Sequence, residues 1–250
     1  MSFALSPDLD VTAAAERLAA TGRTRLHGVL GQGAAAVHAA VTDPAMLWNR
    51  AIRNPYNADV PVAVFENEPP DEQARLIGMA YAEATREFQF IFDRLRLGQA
   101  RGMGLAVPQA LYDLHAVFNG EAWLDFARRL TGDDRIAYVD AQATRFLPGH
   151  FLNGHTDEHE GAGRLYAYVL NVSPEWSADW GGLLMFTDPD GQVAETFVPQ
   201  FDTLNVFRVP AWHSVSMVAP YAGAPRLSIT GWWREGRAEE DTLPPFLPPA

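Results

Sequence analysis

The segment GHFLNGHTDEHEGAGRLYAYVLN, from Gly149 to Asn171, changes character halfway along. Residues 150–160 contain three histidines and three acidic residues, whereas residues 165–170 are almost entirely apolar. Such a change is typical of a polar loop that leads into a buried strand. Two interpretations of the polar half stay open until more of the chain is considered: a solvated acidic loop that contains histidines, or one part of a metal site.

Within this segment, His155 and Asp157 form a His-x-Asp motif. At the end of a strand, residues two apart face the same side, so both side chains would point in one direction. The motif is weak by itself, because short patterns of this kind often match by chance. His155 and His159 would suit a zinc-binding helix, being four residues apart, but Gly154 and the glycines of residues 161–163 argue against a helix here.

A further histidine, His213, lies 56 residues after Asp157, between the strand-like runs TLNVFRV and SVSMV. Two imidazoles and one carboxylate on one face of an iron ion leave three positions open, which is the facial arrangement of non-haem Fe(II) oxygenases. The alternative is a structural histidine packed beside Trp212. We take His155, Asp157 and His213 as the candidate metal ligands and catalytic centre.

An arginine occupies a suitable place for a co-substrate carboxylate. Arg226 begins the last strand-like run, in which Arg226, Ser228 and Thr230 alternate with Leu227 and Ile229. Alternate residues share a face of a strand, so the three polar side chains would point the same way. An arginine directed into a barrel requires an anion, and its planar fork matches a carboxylate. The alternative is an arginine at a sheet edge.

Composition excludes several kinds of site. The chain has 250 residues, a net charge of −12 and no cysteine. Disulfides, thiolate catalysis and Cys-ligated metals are therefore excluded, so a metal would need histidines and carboxylates. The acidic balance argues against nucleic-acid binding. We expect no secretory signal, no membrane span and a cytoplasmic location, since the N-terminal residues and the hydrophobic runs match neither pattern.

The first half of the chain has mainly helical patterns. Helices are predicted at residues 10–22, at 33–41, from Pro70 to about Leu97, and at 109–131 with a break near Asn119. Residues 24–29 and 60–65 favour strands. A helical first part, residues 1–134, is thus expected to support the second half of the chain.

From Arg135 the pattern becomes that of short strands. Seven runs rich in β-branched and aromatic residues are bounded by Pro, Gly, Asp or Asn, and Asp188–Gly191 (DPDG) predicts a hairpin turn. This spacing is typical of a sandwich or jelly-roll barrel. We predict an α+β chain with one domain: helical support to residue 134, a β core over 135–235 that holds the metal site, and a proline-rich tail over 236–250.

These motifs together resemble those of the 2-oxoglutarate/Fe(II) oxygenases of the prolyl 4-hydroxylase type. The resemblance covers about residues 140–234 and rests on RFLPGHFLNGHTD, PEWSADWGGLLMF, PAWHSV and RLSITGWW. It is greatest to the branch that hydroxylates a proline of a ribosomal protein. It implies a double-stranded β-helix (jelly-roll) core in which His155, Asp157 and His213 hold Fe(II) and Arg226 binds 2-oxoglutarate.

One position departs from that family. A tyrosine often found just before the Pro-Gly turn is replaced by Phe146 and Leu147. Tyr168, or Tyr166 on the same run, is a candidate substitute, and Gln142 and Ser228 are further candidates for the co-substrate pocket. His150 and His159 are expected on a mobile loop over the site.

The resemblance implies an enzyme that hydroxylates a C–H bond with O₂ and 2-oxoglutarate, releasing succinate and CO₂, with ascorbate as a candidate additional requirement. The substrate is expected to be a peptidyl proline. The loops beside the site contain small residues and tryptophans. A free amino acid would need a partner for its own carboxylate, and Arg226 is already assigned to 2-oxoglutarate. Arg145, Arg164 or Arg208 could supply that partner if one of them faces inward. The alternatives are a free amino acid or small metabolite as substrate, or a non-catalytic metal-binding scaffold or sensor.

Overall fold

The computed structural model describes residues 3–54 and 56–236. The helices are α1 Val11–Thr21, α2 Gln32–Val41, α3 Val62–Phe65, α4 Pro70–Glu83, α5 Leu97–Gly102, α6 Gln109–Phe118 and α7 Glu121–Thr131. The strands are β1 Arg23–His27, β2 Asn49–Asn54, β3 Tyr56–Pro61, β4 Phe90–Arg96, β5 Tyr138–Val139, β6 Gln142–Phe146, β7 Phe151–His155, β8 Arg164–Asn171, β9 Leu184–Thr187, β10 Val193–Phe197, β11 Thr203–Arg208, β12 His213–Val215 and β13 Arg226–Arg234.

The strands form a curled antiparallel sheet. Its order is β1-β11-β8-β13-β6-β4-β7-β12-β9-β10, with β2 and β3 added at β4 and β5 paired to β13. Many strands of the second half therefore pair with strands that are not their neighbours in sequence. The chain passes back and forth between the two sides of the curled sheet. This is the predicted double-stranded β-helix, and its two sides face each other across the cavity described below.

Helices cover the outer side of the β8–β13 region. Trp233 of β13 is fully buried and meets Phe126 of α7 edge-on, while Tyr168 of β8 meets Phe118 of α6 in the same way. Alternation along these strands sends Trp233 and Tyr168 outward to the helices, leaving their neighbours to face the cavity. The expected helical support is thus present on one side of the sheet.

Several local predictions are confirmed at their boundaries. Asp10 caps α1 by accepting a hydrogen bond from the Ala13 amide, and Gly22 ends the helix in a left-handed conformation. The predicted helix over residues 109–131 is interrupted at Asn119 and Gly120, giving α6 and α7. The Asp188–Gly191 turn joins β9 to β10, as predicted.

Two other predictions are wrong. The long helix ends at Glu83, and residues 90–96 form β4, which lies between β6 and β7 in the sheet. Phe90 and Phe92 of β4 join the buried cluster around Phe146, so tertiary pairing outweighs the helical pattern there. Residues 62–65, expected as strand, form the short helix α3.

The division of the chain is less sharp than predicted, because residues before 135 supply strands as well as helices. β1 pairs with β11 at one end of the sheet, and β4 occupies its centre. The proline-rich tail falls outside the described residues apart from Gly236. Within residues 3–54 and 56–236, no helix is both long enough and apolar enough to cross a bilayer.

Candidate active site

The three predicted metal ligands converge inside the curled sheet. His155 ends β7, Asp157 comes two residues later, and His213 begins β12, which pairs with β7 so that the two histidines are register partners. The Nε2 atoms of His155 and His213 each lie 3.5 Å from a different carboxylate oxygen of Asp157. One ligand atom from each residue lies within 4.8 Å of the other two, which fits a single metal ion.

Backbone carbonyls orient both imidazole rings. His155 Nδ1 lies 3.0 Å from the carbonyl oxygen of Asn153, and His213 Nδ1 lies 2.8 Å from that of Ala211. A carbonyl only accepts, so each Nδ1 carries the proton and each Nε2 keeps a lone pair directed at the centre. This is the outer-shell arrangement that metal-binding histidines commonly have.

The protonation states also suit a metal. Burial lowers the pKa of His213 to about 4, against the opposing charge of Asp157. Burial alone would raise the pKa of the Asp157 carboxyl, but the contact with His155 and the charge of His213 outweigh it and bring the pKa to about 2. At neutral pH His213 is therefore neutral and Asp157 ionised, and those are the forms that bind a metal ion.

Arg226 is a buried cation with no counter-ion among residues 3–54 and 56–236. Its side chain is almost fully buried, and its Nε has no hydrogen-bond partner among residues 3–54 and 56–236. Burial lowers its pKa to about 10, with no carboxylate of the described residues opposing the effect. Arg226 lines the same cavity as His155, Asp157 and His213. An unpaired buried guanidinium there requires an anionic ligand, and a dicarboxylate bridging it to a metal meets that requirement.

The inner faces of β6 and β13 form the cavity wall between these two points. Register pairs Arg226 with Phe146, Ser228 with Thr144 and Thr230 with Gln142. The hydroxyls of Thr144 and Ser228 lie 2.7 Å apart, and the Gln142 amide donates to the Thr230 hydroxyl at 3.2 Å. The alternation predicted for Arg226, Ser228 and Thr230 is therefore present, and both Ser228 and Gln142 lie on the inward face.

Gly182, two residues before β9, is packed against the side chain of Arg226. Gly182 has a positive φ of 61°, and a Cβ there would lie 3.0 Å from Arg226 Cδ and 3.1 Å from the Trp176 ring. The Trp176 indole N–H donates to the Gly181 carbonyl at 2.9 Å. Glycine at 182 thus makes room for the arginine, and Trp176 serves packing.

Comparison with known proteins agrees with this geometry. Residues 141–234 match the family model described as the 2OG-Fe(II) oxygenase superfamily, where 2OG denotes 2-oxoglutarate. The matched range contains His155, Asp157, His213 and Arg226, and it corresponds to the part of the chain that carries the sequence resemblance.

Among curated proteins, the chain is similar over part of its length to prolyl hydroxylases. The chain is 32% identical over 119 residues to prolyl 3-hydroxylase OGFOD1 of Mus musculus, a match that covers 45% of this chain and 21% of that protein. The chain therefore spans about a fifth of that relative's length.

Two solved structures share the fold over nearly the whole chain. A prolyl 4-hydroxylase from Pseudomonas putida superposes with a TM-score of 0.56 at 19% identity, covering 90% of this chain and 98% of that one. A 2OG-Fe(II) oxygenase family oxidoreductase from Burkholderia pseudomallei gives 0.62 at 14% identity, covering 93% and 94%. At such identities the likeness establishes the double-stranded β-helix alone.

Tyr168 borders the cavity but directs its polar group elsewhere. Its hydroxyl donates to the backbone carbonyl of Asp140 at 2.8 Å, and its ring stacks near Trp233 on the helix-covered side. Tyr166 shares that face. Alternate residues of a strand face opposite sides of the sheet, and both tyrosines lie on the outer, helix-covered side. We therefore withdraw Tyr168 as a candidate for binding 2-oxoglutarate.

The two remaining histidines, His150 and His159, differ in burial. His159 is exposed on the loop after Asp157, consistent with the expectation. His150 is instead buried, and burial lowers its pKa to about 4 beside the charges of Asp93, Arg50 and Arg145. The prediction of a loop position over the site for His150 was wrong, because β6 and β7 are joined tightly and place it against that charged cluster.

Sequence reasoning missed the residues at the other end of the cavity. Trp232 lines the metal cavity, and its indole is among the groups that lower the Asp157 pKa. Arg164 stacks on Trp232, with its guanidinium carbon 3.7 Å from the ring centre, and donates to the Asp157 carbonyl at 3.1 Å. Alternate residues Arg226 and Thr230 face inward, and the same alternation continued along the strand would have predicted that Trp232 also faces inward.

Proposed function

We propose that the chain is an Fe(II)- and 2-oxoglutarate-dependent hydroxylase of a peptidyl proline. The observation that carries the proposal is the shared cavity of the His155, Asp157 and His213 cluster and the uncompensated Arg226. A metal centre alone would suit many reactions, but a buried cation in the same cavity adds the requirement for an anionic co-substrate. The similarity to prolyl hydroxylases supports this assignment.

The two histidines and Asp157 would hold Fe(II), leaving positions open for 2-oxoglutarate and O₂. Bound there, iron supplies the coupling of 2-oxoglutarate decarboxylation to oxygen insertion into a C–H bond, with succinate and CO₂ as products. Arg226 binds the far carboxylate of 2-oxoglutarate by a charge-assisted fork. The carbonyls of Asn153 and Ala211 keep the imidazoles in the metal-binding tautomer.

Gln142 and Thr144 line the cavity that also contains Arg226 and the three candidate metal ligands, and Ser228 lies against Thr144 in the same wall. Their hydroxyl and amide groups already form hydrogen bonds within the wall, so they offer a pre-organised polar surface. Phe92, stacked on Phe146 at 5.0 Å, closes the apolar side. These groups would orient 2-oxoglutarate and exclude water from around it. Because water is excluded, each hydrogen-bond donor in the closed site interacts more strongly with the ligand.

A peptide rather than free proline is proposed as substrate. Arg145, a candidate to receive a free carboxylate, is directed away into an ion pair with Asp93, and Arg208 is exposed. Arg164 lines a neighbouring cavity that shares Gln142 and Trp232 with the metal cavity, so the free amino acid stays as an arm of the test. A need for ascorbate and a cytoplasmic location also remain predictions.

The test is turnover of 2-oxoglutarate by the full chain with Fe(II) in air. Proline-containing peptides and proteins, free proline and other free amino acids would be supplied separately. We expect succinate release that rises with a peptide substrate, and a peptide that gains one oxygen by mass spectrometry.

Asp157→Ala should abolish both signals, while Glu158→Ala, which removes the exposed carboxylate next to it, should retain them. Succinate release with no peptide oxidation, together with efficient use of free proline, would overturn the peptidyl assignment. Absence of 2-oxoglutarate turnover under every condition would overturn the enzyme assignment.

A further inference from the structure

The proline-rich tail, residues 237–250, contains the sequence Leu-Pro-Pro twice, at residues 243–245 and 247–249. Four of the six residues 244–249 are proline. The tail lies outside the part of the chain that the structure describes, but the residues immediately before it are described. The chain therefore carries peptidyl proline, the proposed substrate, in a segment whose starting point is known.

The tail starts beside the loop that follows the metal ligand Asp157. The Glu235 amide donates to the carbonyl of Gly163 at 3.0 Å, and Arg234 donates to the carbonyl of Ala162 at 3.1 Å. These bonds hold the end of β13 against the end of that loop. Their effect is to fix the point from which the tail leaves the sheet.

That point is close to the metal cavity. Trp232 lines the cavity, and Arg164, which stacks on Trp232, donates to the Asp157 carbonyl at 3.1 Å. At about 3.4 Å per residue, Gly236 lies no more than about 14 Å along the chain from Trp232. Arg226 begins the same strand, so the start of the tail and the proposed 2-oxoglutarate anchor lie at opposite ends of β13.

The tail prolines are far enough from its starting point to reach the cavity. Pro244 comes eight residues after Gly236, and Pro248 comes twelve residues after it. At about 3.3–3.6 Å per residue, segments of these lengths span up to roughly 28 Å and 41 Å. Both values exceed the separation of about 14 Å between Gly236 and Trp232. A tether that can span such a gap gives an effective concentration on the order of millimolar.

We propose that the enzyme hydroxylates prolines of its own tail, within one chain. This inference rests on the proposed function, which supplies the Fe(II) centre, 2-oxoglutarate and O₂. The step breaks a ring C–H bond of proline and forms a C–OH bond with one atom of O₂. The other oxygen atom enters succinate as 2-oxoglutarate loses CO₂, and the two oxidations together supply the electrons that reduce O₂.

The consequence is turnover without any added substrate. A chain whose tail is unmodified should release succinate in a limited burst, because the reaction stops when the accessible tail prolines are oxidised. A tail proline within the chain has no free carboxylate of its own, so this substrate needs no cationic partner besides the one that Arg226 offers to 2-oxoglutarate.

The test uses the full chain with Fe(II) and 2-oxoglutarate in air and no added peptide. Trypsin cleavage after Arg237 releases residues 238–250, which contain the four tail prolines and no further Lys or Arg. We expect this peptide to gain the mass of one or more oxygen atoms, located on proline by fragmentation. Asp157→Ala should show no gain, and Glu158→Ala should show the same gain as the wild type. Oxygen already present after purification counts equally, provided that Asp157→Ala purified in the same way lacks it.

A mixing experiment distinguishes reaction within one chain from reaction between chains. One protein is Asp157→Ala, which keeps the tail, and the other is a variant with all four tail prolines replaced: Pro244→Ala, Pro245→Ala, Pro248→Ala and Pro249→Ala. At micromolar concentrations the Asp157→Ala tail should stay unmodified, whereas the wild type alone should react at a rate that does not depend on its concentration. The four-alanine variant should bind Fe(II) and 2-oxoglutarate as the wild type does, but should give no burst.

Unmodified tail prolines in a wild type that turns over 2-oxoglutarate would overturn this inference and leave the proposed function standing. Absence of 2-oxoglutarate turnover, with and without added peptides, would instead overturn the proposed function. Efficient oxidation of the Asp157→Ala tail in the mixture would contradict reaction within one chain.

Discussion

Arg226 lies directly opposite Phe146 in the register of β13 and β6, with its guanidinium carbon 5.1 Å from the centre of the phenylalanine ring. The ring face stabilises the cation without using its N–H groups. The donors of Arg226 therefore remain for a ligand.

The first prediction concerns stability with and without the co-substrate. Replacing Arg226 by Met removes a buried charge that has no counter-ion among the described residues, so the ligand-free variant should be more stable than the wild type by about 1 kcal/mol or more. Addition of 2-oxoglutarate at a hundred times its Kd should stabilise the metal-loaded wild type by about 2.7 kcal/mol and leave Arg226→Met unchanged. Thermal unfolding measures both effects.

Lysine at 226 should restore part of the co-substrate effect, since it supplies a charge without the fork. Iron affinity should be the same in the wild type, Arg226→Met and Arg226→Lys. A parallel loss of iron and 2-oxoglutarate binding would mean that Arg226 acts on the fold and not on the co-substrate.

The second prediction concerns the charged cluster behind the sheet. Asp93 is fully buried and pairs with Arg50 at 2.8 Å and Arg145 at 2.7 Å. Asp93→Asn leaves these two cations without their carboxylate and should destabilise the fold by about 3–5 kcal/mol in urea unfolding. Glu72→Gln, which breaks the exposed pair with Arg75, should cost less than about 1 kcal/mol. A similar loss of stability in Asp93→Asn and Glu72→Gln would contradict the role of Asp93 as the buried counter-ion of Arg50 and Arg145.

The third prediction concerns His150. Burial lowers its pKa in the folded protein from 6.5 to about 4, so below pH 6.5 the unfolded chain binds a proton that the folded chain does not. Stability supplied by neutral His150 is thus complete above pH 6.5 and falls as the pH decreases towards 4, by about 3 kcal/mol in total.

His150→Asn removes this titration, and the metal-free variant should lose less stability than the wild type between pH 7 and pH 5. Urea unfolding at pH 7 and at pH 5 gives, for each protein, the slope of the unfolding free energy against pH. Any loss of stability from the substitution that does not depend on pH cancels in this slope. An identical slope in the two proteins would show that His150 is not held neutral by burial.

Sequence reasoning grouped His155, Asp157, His213 and Arg226, which share one cavity, because their positions depend on strand alternation and on a fixed order of motifs. It failed for residues 90–96, whose helical pattern is overridden by pairing with β6 and β7, contacts far apart in the chain. It also failed for Tyr168, because an alternating pattern predicts a strand without indicating which parity faces inward. A second cavity, lined by Arg94, Arg96, Arg164 and Arg234, combines residues from β4, β8 and β13, and only the assembled sheet reveals it.

The sharpest test of the metal and co-substrate site is the visible spectrum of the protein after anaerobic addition of Fe(II) and then 2-oxoglutarate. We predict one Fe(II) per chain and a charge-transfer band that appears only when both are present, because His155, Asp157, His213 and Arg226 share one cavity. The band should be absent in Asp157→Ala and retained in Glu158→Ala. A wild type that gives no band, with iron binding unaffected by Asp157→Ala, would contradict the assigned metal site.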